Sequence, residues 1–594
     1  MKYFTHNKFL ISVLLSPFAF STFATSWYAS STALVVGNGS SVNPWQLQTA
    51  LNHPVSVNGG DTIFLRGGTY TGNFTSSLTG ASNNYITVMS MPGEWAVLSD
   101  TRQFASGSCL RINGSWCIYR DFEIQNTNST RTSIDKDTFR PMGIECEADH
   151  TKIINLVIHD TGHGIGFWKG ASNSEIYGNI IYNCGIQNSP GVYSTHGHGL
   201  YTQNDTGYKI IKHNIIFDQF GFGIHGYPNP GNINNYTLEG NVVFNSGILT
   251  DSTQRYNNFL INPYPGHIAK NISLINNITY DDIANHNHTS LYDLDVYLGA
   301  LSVKSYKLVF TKNYLMGNGR AGVLIANWDS VTSTNNQCFF NNGVIGVVDT
   351  VSAWPLNYMI NNNSYFSNIL TNQFSFQGGA QTNFANWKSN SGFDNLSTHV
   401  LNPPDKDTII IQKNSYSNGR SRIIIFNHSQ QNMASIDLSS AGLTNGQQFI
   451  IKDIQNYFGN VVFTGTYNSL NPIINVSLNH SIVSAPIGWP EAKHTSKIFN
   501  VFEVVPYILT GVNKISKKNN SNIFYDHDSR EIKINGANHI NATLTVFNSV
   551  GELLIAKSIT ERDSSTKCQL NPGIYFVVLD FESERVSNKI VITY

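Results

Sequence analysis

Tyr201 and His225 each follow a glycine and an aliphatic residue, as Gly-Leu200-Tyr-Thr and Gly-Ile224-His-Gly, and a tyrosine beside a histidine can move protons. If both lie on neighbouring strands of one sheet they stand about 4.8 Å apart, with His198 just ahead of the first. Such a group can take the proton next to a uronic-acid carboxylate and protonate the leaving oxygen, while Lys304 or Arg255 neutralises that carboxylate. That chemistry is β-elimination. A second arrangement is Glu145 with Glu147, i and i+2 on one strand, which sets their side chains about 6.6 Å apart. This is the short end of the separation used by inverting glycoside hydrolysis. By pattern their only neighbours are Gly166 and Trp168, with no cation beside them. A third reading leaves the surface without chemistry, as a glycan-binding or structural wall. His163 and His198 each precede a glycine and also fit turn residues that bond backbone carbonyls. Exposed acids such as Glu145 and Glu147 also fit plain solvated charges.

These residues need strands to hold them, and the chain supplies a repeat. Between Ile144 and Asn363 a short strand with an aliphatic second position recurs at Ile144, Ile165, Leu200, Ile224, Leu260, Leu301 and Leu324. Asparagine plus an apolar run follows each time, at Asn155, Asn179, Asn214, Asn241, Asn277, Asn313 and Asn336. Such coils cannot bury a face singly and become stable by stacking, which predicts a solenoid. The strands are too short and too close for βαβ units, so the expected fold is a right-handed parallel β-helix. The seven aliphatic residues should form one inward column, and the asparagines a stacked internal hydrogen-bond ladder.

Alternation then assigns the faces. Position four is inward and uncharged: Cys146, Phe167, Thr202, Gly226, Asn262, Val303, Ala326. Position three faces out with Glu145, Gly166, Tyr201, His225, Ile261, Ser302 and Ile325, and position five with Glu147, Trp168, Gln203, Tyr227, Pro263, Lys304 and Asn327. The ionisable and aromatic groups thus share one outward face. Trp168, Gln203, Tyr227, Tyr264, Arg255 and His163 are the candidate substrate-binding residues, the rings offering faces on which a sugar can stack. Extra loop length enters around 187–197, 248–258 and 286–297, where it would wall a groove.

Composition narrows the partners. Lys+Arg 37 against Asp+Glu 38 gives a net charge of -1, which removes an electrostatic case for nucleic acid or an anionic membrane. Charged residues are only 13%, about half the usual share, as expected of an extracellular β-protein that meets neutral polar ligands; the expected partner is a polysaccharide substrate. Lys2 and Lys8 precede an apolar stretch from Phe9 to Phe23 with small residues at Thr22 and Ala24, so residues 1–24 read as an export signal. The six cysteines lack metal-ligand spacing and read mostly as small core residues, with a Cys109–Cys117 pairing across a turn left open. No cofactor is expected, and the protein is expected to be a monomer.

The segment Pro44–Leu51 reads as a short amphipathic helix that caps the open end of the solenoid, followed by coils at Gly60–Tyr70 and Tyr85–Glu94. This opening with asparagine-rung coils resembles the pectate-lyase-like superfamily of secreted β-helix proteins. The resemblance covers about residues 35 to 370 and implies a polysaccharide lyase or glycoside hydrolase on a shared scaffold. It is specific for fold rather than reaction. Gly197-His198-Gly199 echoes a polygalacturonase signature, yet the paired aspartates upstream are missing and that family's catalytic residues do not carry over. The calcium-binding aspartate cluster of pectate lyases is also not found on this face, so calcium stays possible without a clear ligand set; Asp160, Asp281 and Asp282 fall at the ends of asparagine strands.

The β-helix with its cap is expected over 25–398. From about Asp407 the phrase gives way to strands divided by Gly/Asn turns, which predicts an antiparallel accessory sandwich over 399–506. It resembles accessory β-domains of carbohydrate-active enzymes, and either sugar binding or bracing of the solenoid fits it, bracing being the default. Residues 507–522 read as a linker. The strands Thr543–Gly551, Leu570–Val578 and Lys589–Ile592 within 523–594 resemble the C-terminal sorting domain of the type IX secretion system of Bacteroidetes. That resemblance implies recognition by the type IX secretion machinery and a secreted or cell-surface-attached protein.

Overall fold

The structure is a computed structural model that describes residues 24–506 apart from 136–137, 189–195, 251–255, 283–293, 319–320, 351–356 and 403–405. Beyond these it describes 522–526, 529–535, 542–548, 553–559, 564–568, 570, 573–580 and 585–592. The expected export signal therefore lies outside the described residues except for Ala24. Among the described residues no helix is long and apolar enough to cross a membrane.

Three parallel sheets carry the first part of the chain, with twelve, twelve and eleven strands among the described residues. Sheet one runs from Ser26–Ala29 to Tyr358–Asn361, sheet two from Gly68–Thr71 to Thr398–Leu401, and sheet three from Phe74–Ser76 to Phe374–Phe376. Each strand pairs in parallel with its counterpart one coil on, as in Tyr201↔His225. This is a right-handed parallel β-helix. Asparagines at the corners take the left-handed conformation that turns the chain, at Asn183, Asn245 and Asn276 among others.

The inward column of sheet three begins as expected with Ile144, Ile165, Leu200 and Ile224. It then continues through Phe259, Val296, Val323, Ile345 and Phe374 rather than through Leu260, Leu301 and Leu324. Phe259-Leu260-Ile261 and Val323-Leu324-Ile325 are unbroken apolar runs, so alternation alone does not say which residue is inward, and a slip of one residue reverses the faces. Ile261 and Ile325 are accordingly buried. Leu301 sits in a turn beyond the strand Leu294–Gly299 and is 52% exposed. The fold stands because a neighbouring apolar residue fills each inward place.

The asparagine ladder runs from Asn179 through Asn214, Asn241, Asn277, Asn313 and Asn336 to Asn363. Each amide nitrogen donates to the next asparagine's Oδ1 and to a backbone carbonyl, while that Oδ1 also accepts the preceding asparagine's backbone N–H. Asn214 Nδ2, for instance, bonds Asn241 Oδ1 at 3.0 Å and Ile176 O at 3.0 Å, and Asn214 N–H donates to Asn241 Oδ1 at 3.1 Å. Asn155 is not a rung. Leu156 holds that place, its N–H donating to Asn179 Oδ1, and Asn155 takes a left-handed turn one residue earlier. The far end closes on a carboxylate: Asp394 accepts from Asn363, Tyr365, Trp387 and Ser397.

Both ends of the solenoid are covered. The expected N-terminal helix spans Leu47–Leu51, with Leu47, Ala50 and Leu51 buried. Its Gln48 side chain donates to Thr75 O at 2.8 Å and accepts from Thr75 N–H at 3.0 Å, as a neighbouring strand would. A second helix, Phe384–Ser391, buries Trp387 against the strand Phe374–Phe376 at the other end. All six cysteines are free and buried, so Cys109 and Cys117 are unpaired; Cys117 Sγ donates to Leu78 O at 3.0 Å instead.

Antiparallel strands follow the solenoid: Thr408–Lys413, Ser421–Phe426 and Phe499–Pro506 pair in one sheet, and Met433–Asp437 pairs with Ile473–Ser477 in another. Ile424, Phe426, Ile454, Tyr457, Phe499 and Val501 form one buried layer with the outer side of sheet two, where Tyr182, Phe217 and Phe244 stack from coil to coil and Tyr280 stacks on Phe499. Polar contacts frame this junction. His159 bonds Asp160 at 2.8 Å and Glu123 at 3.1 Å, Asp160 also takes Arg131, and Ile487 N–H donates to Asp160. The chain divides into two compact units, one running up to Val505 and the other comprising Pro506–Tyr594 with Gly446–Phe449 and Gly465–Tyr467. In the latter, Asn522–Asp526, Glu531–Asn535 and Ser564–Lys567 face a four-stranded sheet through a core of Ile532, Ile534, Leu544, Val546 and Val577.

Two outcomes follow from these contacts. Asn241→Leu should destabilise the protein by about 2–4 kcal/mol in urea unfolding, because it takes one hydrogen-bond partner each from Asn214 Nδ2, Ile211 O and Asn277 Oδ1 in a dry interior. At the junction, burial opposes a charge on His159, but the bonds to Asp160 and Glu123 outweigh it and raise the ring to about 9. A value above that of an unfolded histidine means the stabilisation is complete below about pH 6.5 and fades as pH climbs through about 9. The urea midpoint should fall across that window, and His159→Gln should flatten the fall.

Candidate active site

With sheet two covered, the outward column of sheet three reads Arg111, Glu145, Gly166, Tyr201, His225, Leu260, Tyr297, Leu324 and Gly346 from coil to coil. Sequence pattern placed Ile261, Ser302 and Ile325 in this column, and the shifted register replaces them by Leu260, Tyr297 and Leu324.

Tyr201 and His225 stack with ring centroids 4.9 Å apart and planes 16° from parallel. His198 stands edge-on to His225 at 4.5 Å and stacks on His163 at 4.7 Å. His196 lies 5.5 Å from His163. The two inner histidines engage the backbone through Nδ1. His163 Nδ1 accepts the backbone N–H of His198 at 3.1 Å and of Gly197 at 3.3 Å, and His198 Nδ1 accepts that of Phe222 at 3.2 Å. A nitrogen that accepts carries no proton, so each neutral ring holds its hydrogen on Nε2.

Burial governs the charge here. His163 lies well below the ordinary histidine value because it is buried, with His196 and His225 adding to the effect. Burial alone pushes His225 down to about 3. His225 is 8% exposed, and its Nδ1 has no hydrogen-bond partner among the described residues. Phe222, Tyr256 and Leu260 form a small apolar cluster, in which Phe222 packs against His225 at 4.6 Å.

The candidate binding residues divide. Trp168 folds back over Gly166, where an added Cβ would stand 2.5 Å from its ring, and meets Tyr201 edge-on at 5.2 Å. Tyr227 lies 5.3 Å from both His225 and Tyr264. Gln203 is buried and donates to Asn229 O at 3.1 Å, so its amide is engaged in the backbone. Lys304 lies beyond its coil's sheet-three strand and pairs with Asp349 at 3.0 Å, which removes it from the role of carboxylate partner for Tyr201 and His225. Arg255 lies outside the described residues, as do the central parts of the three long loops.

The glutamates have a cation after all. Arg111, one coil upstream on the same column, lies 3.7 Å from Glu147, and Glu145 accepts from Ser108 Oγ at 3.3 Å. Burial raises the Glu147 carboxyl above its ordinary value, Arg111 opposing and Glu145 adding. Arg111 was legible had the strand phrase been followed one coil upstream into Leu110-Arg111-Ile112. Lys209 had no such signal. Its ammonium is wholly buried, donates to Phe167 O and Trp168 O at 2.7 Å each, and is driven well below the usual lysine value by burial. Among the described residues no three His, Cys, Asp or Glu side chains converge as metal ligands.

Residues 527–593 match the family described as the secretion system C-terminal sorting domain. The chain carries an export address. That domain marks it as secreted or attached to the cell surface, and as a client of the secretion machinery. No curated protein matches the chain. Among solved structures, the exported chain is similar to pectate lyase Pel9A at 14% identity, covering 58% of this chain and 80% of that one with a TM-score of 0.32. It is also similar to the GH136 lacto-N-biosidase from Eubacterium ramulus, at 12% identity over 64% and 68% with a TM-score of 0.44. An alginate lyase from Paenibacillus sp. str. FPU-7 matches at 16% identity over 64% and 99%, with a TM-score of 0.32.

A neutral, buried His225 has a direct readout. In a histidine-labelled sample, the ring signal that His225→Ala removes should hold its position from pH 5 to pH 8; titration near the ordinary histidine value of about 6.5 would contradict the burial.

Proposed function

We propose that the exported chain cleaves a uronic-acid-containing polysaccharide by β-elimination on the outward face of sheet three. The observation that supports this is the Tyr201–His225 stack, which sets a phenol and a neutral imidazole side by side on adjacent rungs. In this reading His225 takes the proton from the carbon next to the uronate carboxylate. The electrons of that C–H bond form the new C=C bond, the glycosidic C–O bond breaks, and Tyr201 protonates the leaving oxygen. Burial keeps the free ring neutral, and a carboxylate brought against it supplies the counter-charge that raises its hold on a proton. His163 and His198, locked by backbone amides, keep the neighbouring loop ends in place. Trp168 and Tyr227 offer ring faces on either side.

A second reading is an inverting hydrolase on Glu145 and Glu147. The raised Glu147 carboxyl favours it, since a general acid must hold its proton at working pH.

One assay separates them. Incubation with a panel of uronic-acid and neutral glycans should give rising ultraviolet absorbance from the new C=C bond together with reducing ends, and His225→Ala should cut that rate by about 10²–10⁴-fold. Reducing ends without absorbance, abolished in Glu147→Gln, would move the chemistry to the glutamates. Binding with neither signal would leave a glycan-binding wall.

A further inference from the structure

Sheet one carries a second exposed column that the cleavage site does not use. Successive coils place Tyr85, Trp116, His150, Asn173, Tyr208, Asn235 and Asn271 in the same rung position, at the corner just before the strand in the first five coils and inside Ile233–Glu239 and Ala269–Ile275 in the last two. The corner requires a left-handed backbone in most of these coils: φ is 60° at Trp116, 51° at His150, 52° at Asn173, 58° at Asn235 and 54° at Asn271. Asparagine tolerates this conformation, whereas a bulky aromatic ring is an outlier there. Trp116 is such an outlier at φ 60°, whereas histidine enters this region more readily, as asparagine does.

The rings do not serve the core. Trp116 and His150 stack at 3.9 Å with planes 11° apart, both half-buried, and Tyr85 meets Trp116 edge-on at 5.3 Å. Tyr208 is 49% exposed. Polar groups rim them: Asp149 holds His150 Nδ1 at 2.9 Å and takes the Ser115 hydroxyl, while Lys152 bonds Tyr416 Oη at 3.1 Å and pairs with Glu175 at 3.5 Å. Burial raises the Tyr85 hydroxyl, with Tyr208 and Glu175 near enough to add to the effect. The outward edge of this stack, with the exposed Tyr208 beyond it and hydroxyl, carboxylate and ammonium groups beside it, suits a pyranose ring, whose C–H face meets the rings while its hydroxyls bond the rim.

We propose that Trp116 and His150, flanked by Tyr85 and Tyr208, form a second glycan-binding platform on sheet one that holds polysaccharide away from the cleavage face. Local strain kept at an exposed site is what a binding role maintains against folding preference.

The test is affinity electrophoresis of the mature exported protein through gels containing polygalacturonate, alginate or xylan, with melting temperature measured alongside. His225→Ala should be retained like the natural protein in at least one gel. The double variant Trp116→Asn/His150→Asn should bind that glycan about tenfold more weakly, with a melting temperature unchanged or raised because asparagine suits the corner. Unchanged retention in the double variant overturns the platform, as does passage of the natural protein through every gel without retardation. If the double variant melts early, Tyr208→Ser carries the test, and retention equal to that of the natural protein overturns the proposal. The cleavage reading fails separately, as missing absorbance with retention intact.

Discussion

Every feature on the surface of this solenoid depends on a row of asparagines inside it. A parallel coil has no local hydrogen bonds of its own, so its height and rotation relative to the next coil must be fixed by something that repeats. The amides from Asn179 to Asn363 do this, each filling the donors and acceptors of the next at 2.9–3.2 Å in an interior without competing water. Rotation of one coil by a single residue would break the row and turn the adjacent strand inside out. Tyr201 meets His225 ring to ring because the amides behind them permit only that register.

The accessory strands divide the remaining labour. Their apolar layer covers the outer side of sheet two, where stacked rings such as Phe217 and Phe244 would otherwise be an exposed patch, and so brace the solenoid over much of its length. Among the described residues no such layer lies on sheet three, and its outward column passes from base and acid at Arg111 and Glu145 to aromatic at Tyr201 and apolar at Leu260. The neutral histidines there are a consequence of burial without a charged partner. His159 shows the opposite case on sheet two, where two carboxylates hold the same side chain charged.

The coil repeat, the N-terminal cap helix and the first four inward residues of sheet three were readable because polar and apolar residues alternate cleanly there. From Phe259 onward the reading slipped by one, since three apolar residues in a row satisfy either face. Asn155 was misread for a related reason: a corner and a rung both favour asparagine, and only the hydrogen bonds tell them apart. Arg111 fell outside the span in which the repeat was recognised. The engagement of Gln203 by Asn229, and of Lys304 by Asp349, depends on where chain segments far apart in sequence meet, which no spacing encodes. The left-handed corner under Trp116 was invisible because tryptophan does not announce that conformation.

The rungs of the amide row are separated along the chain by 35, 27, 36, 36, 23 and 27 residues, yet every step closes with the same bond. Contour length and spine height are thus decoupled. A coil can lengthen on its outer side by a dozen residues without disturbing the coils above and below it. Such a scaffold lets a lineage try new loops one storey at a time, so recognition can diverge quickly while the load-carrying interior barely changes.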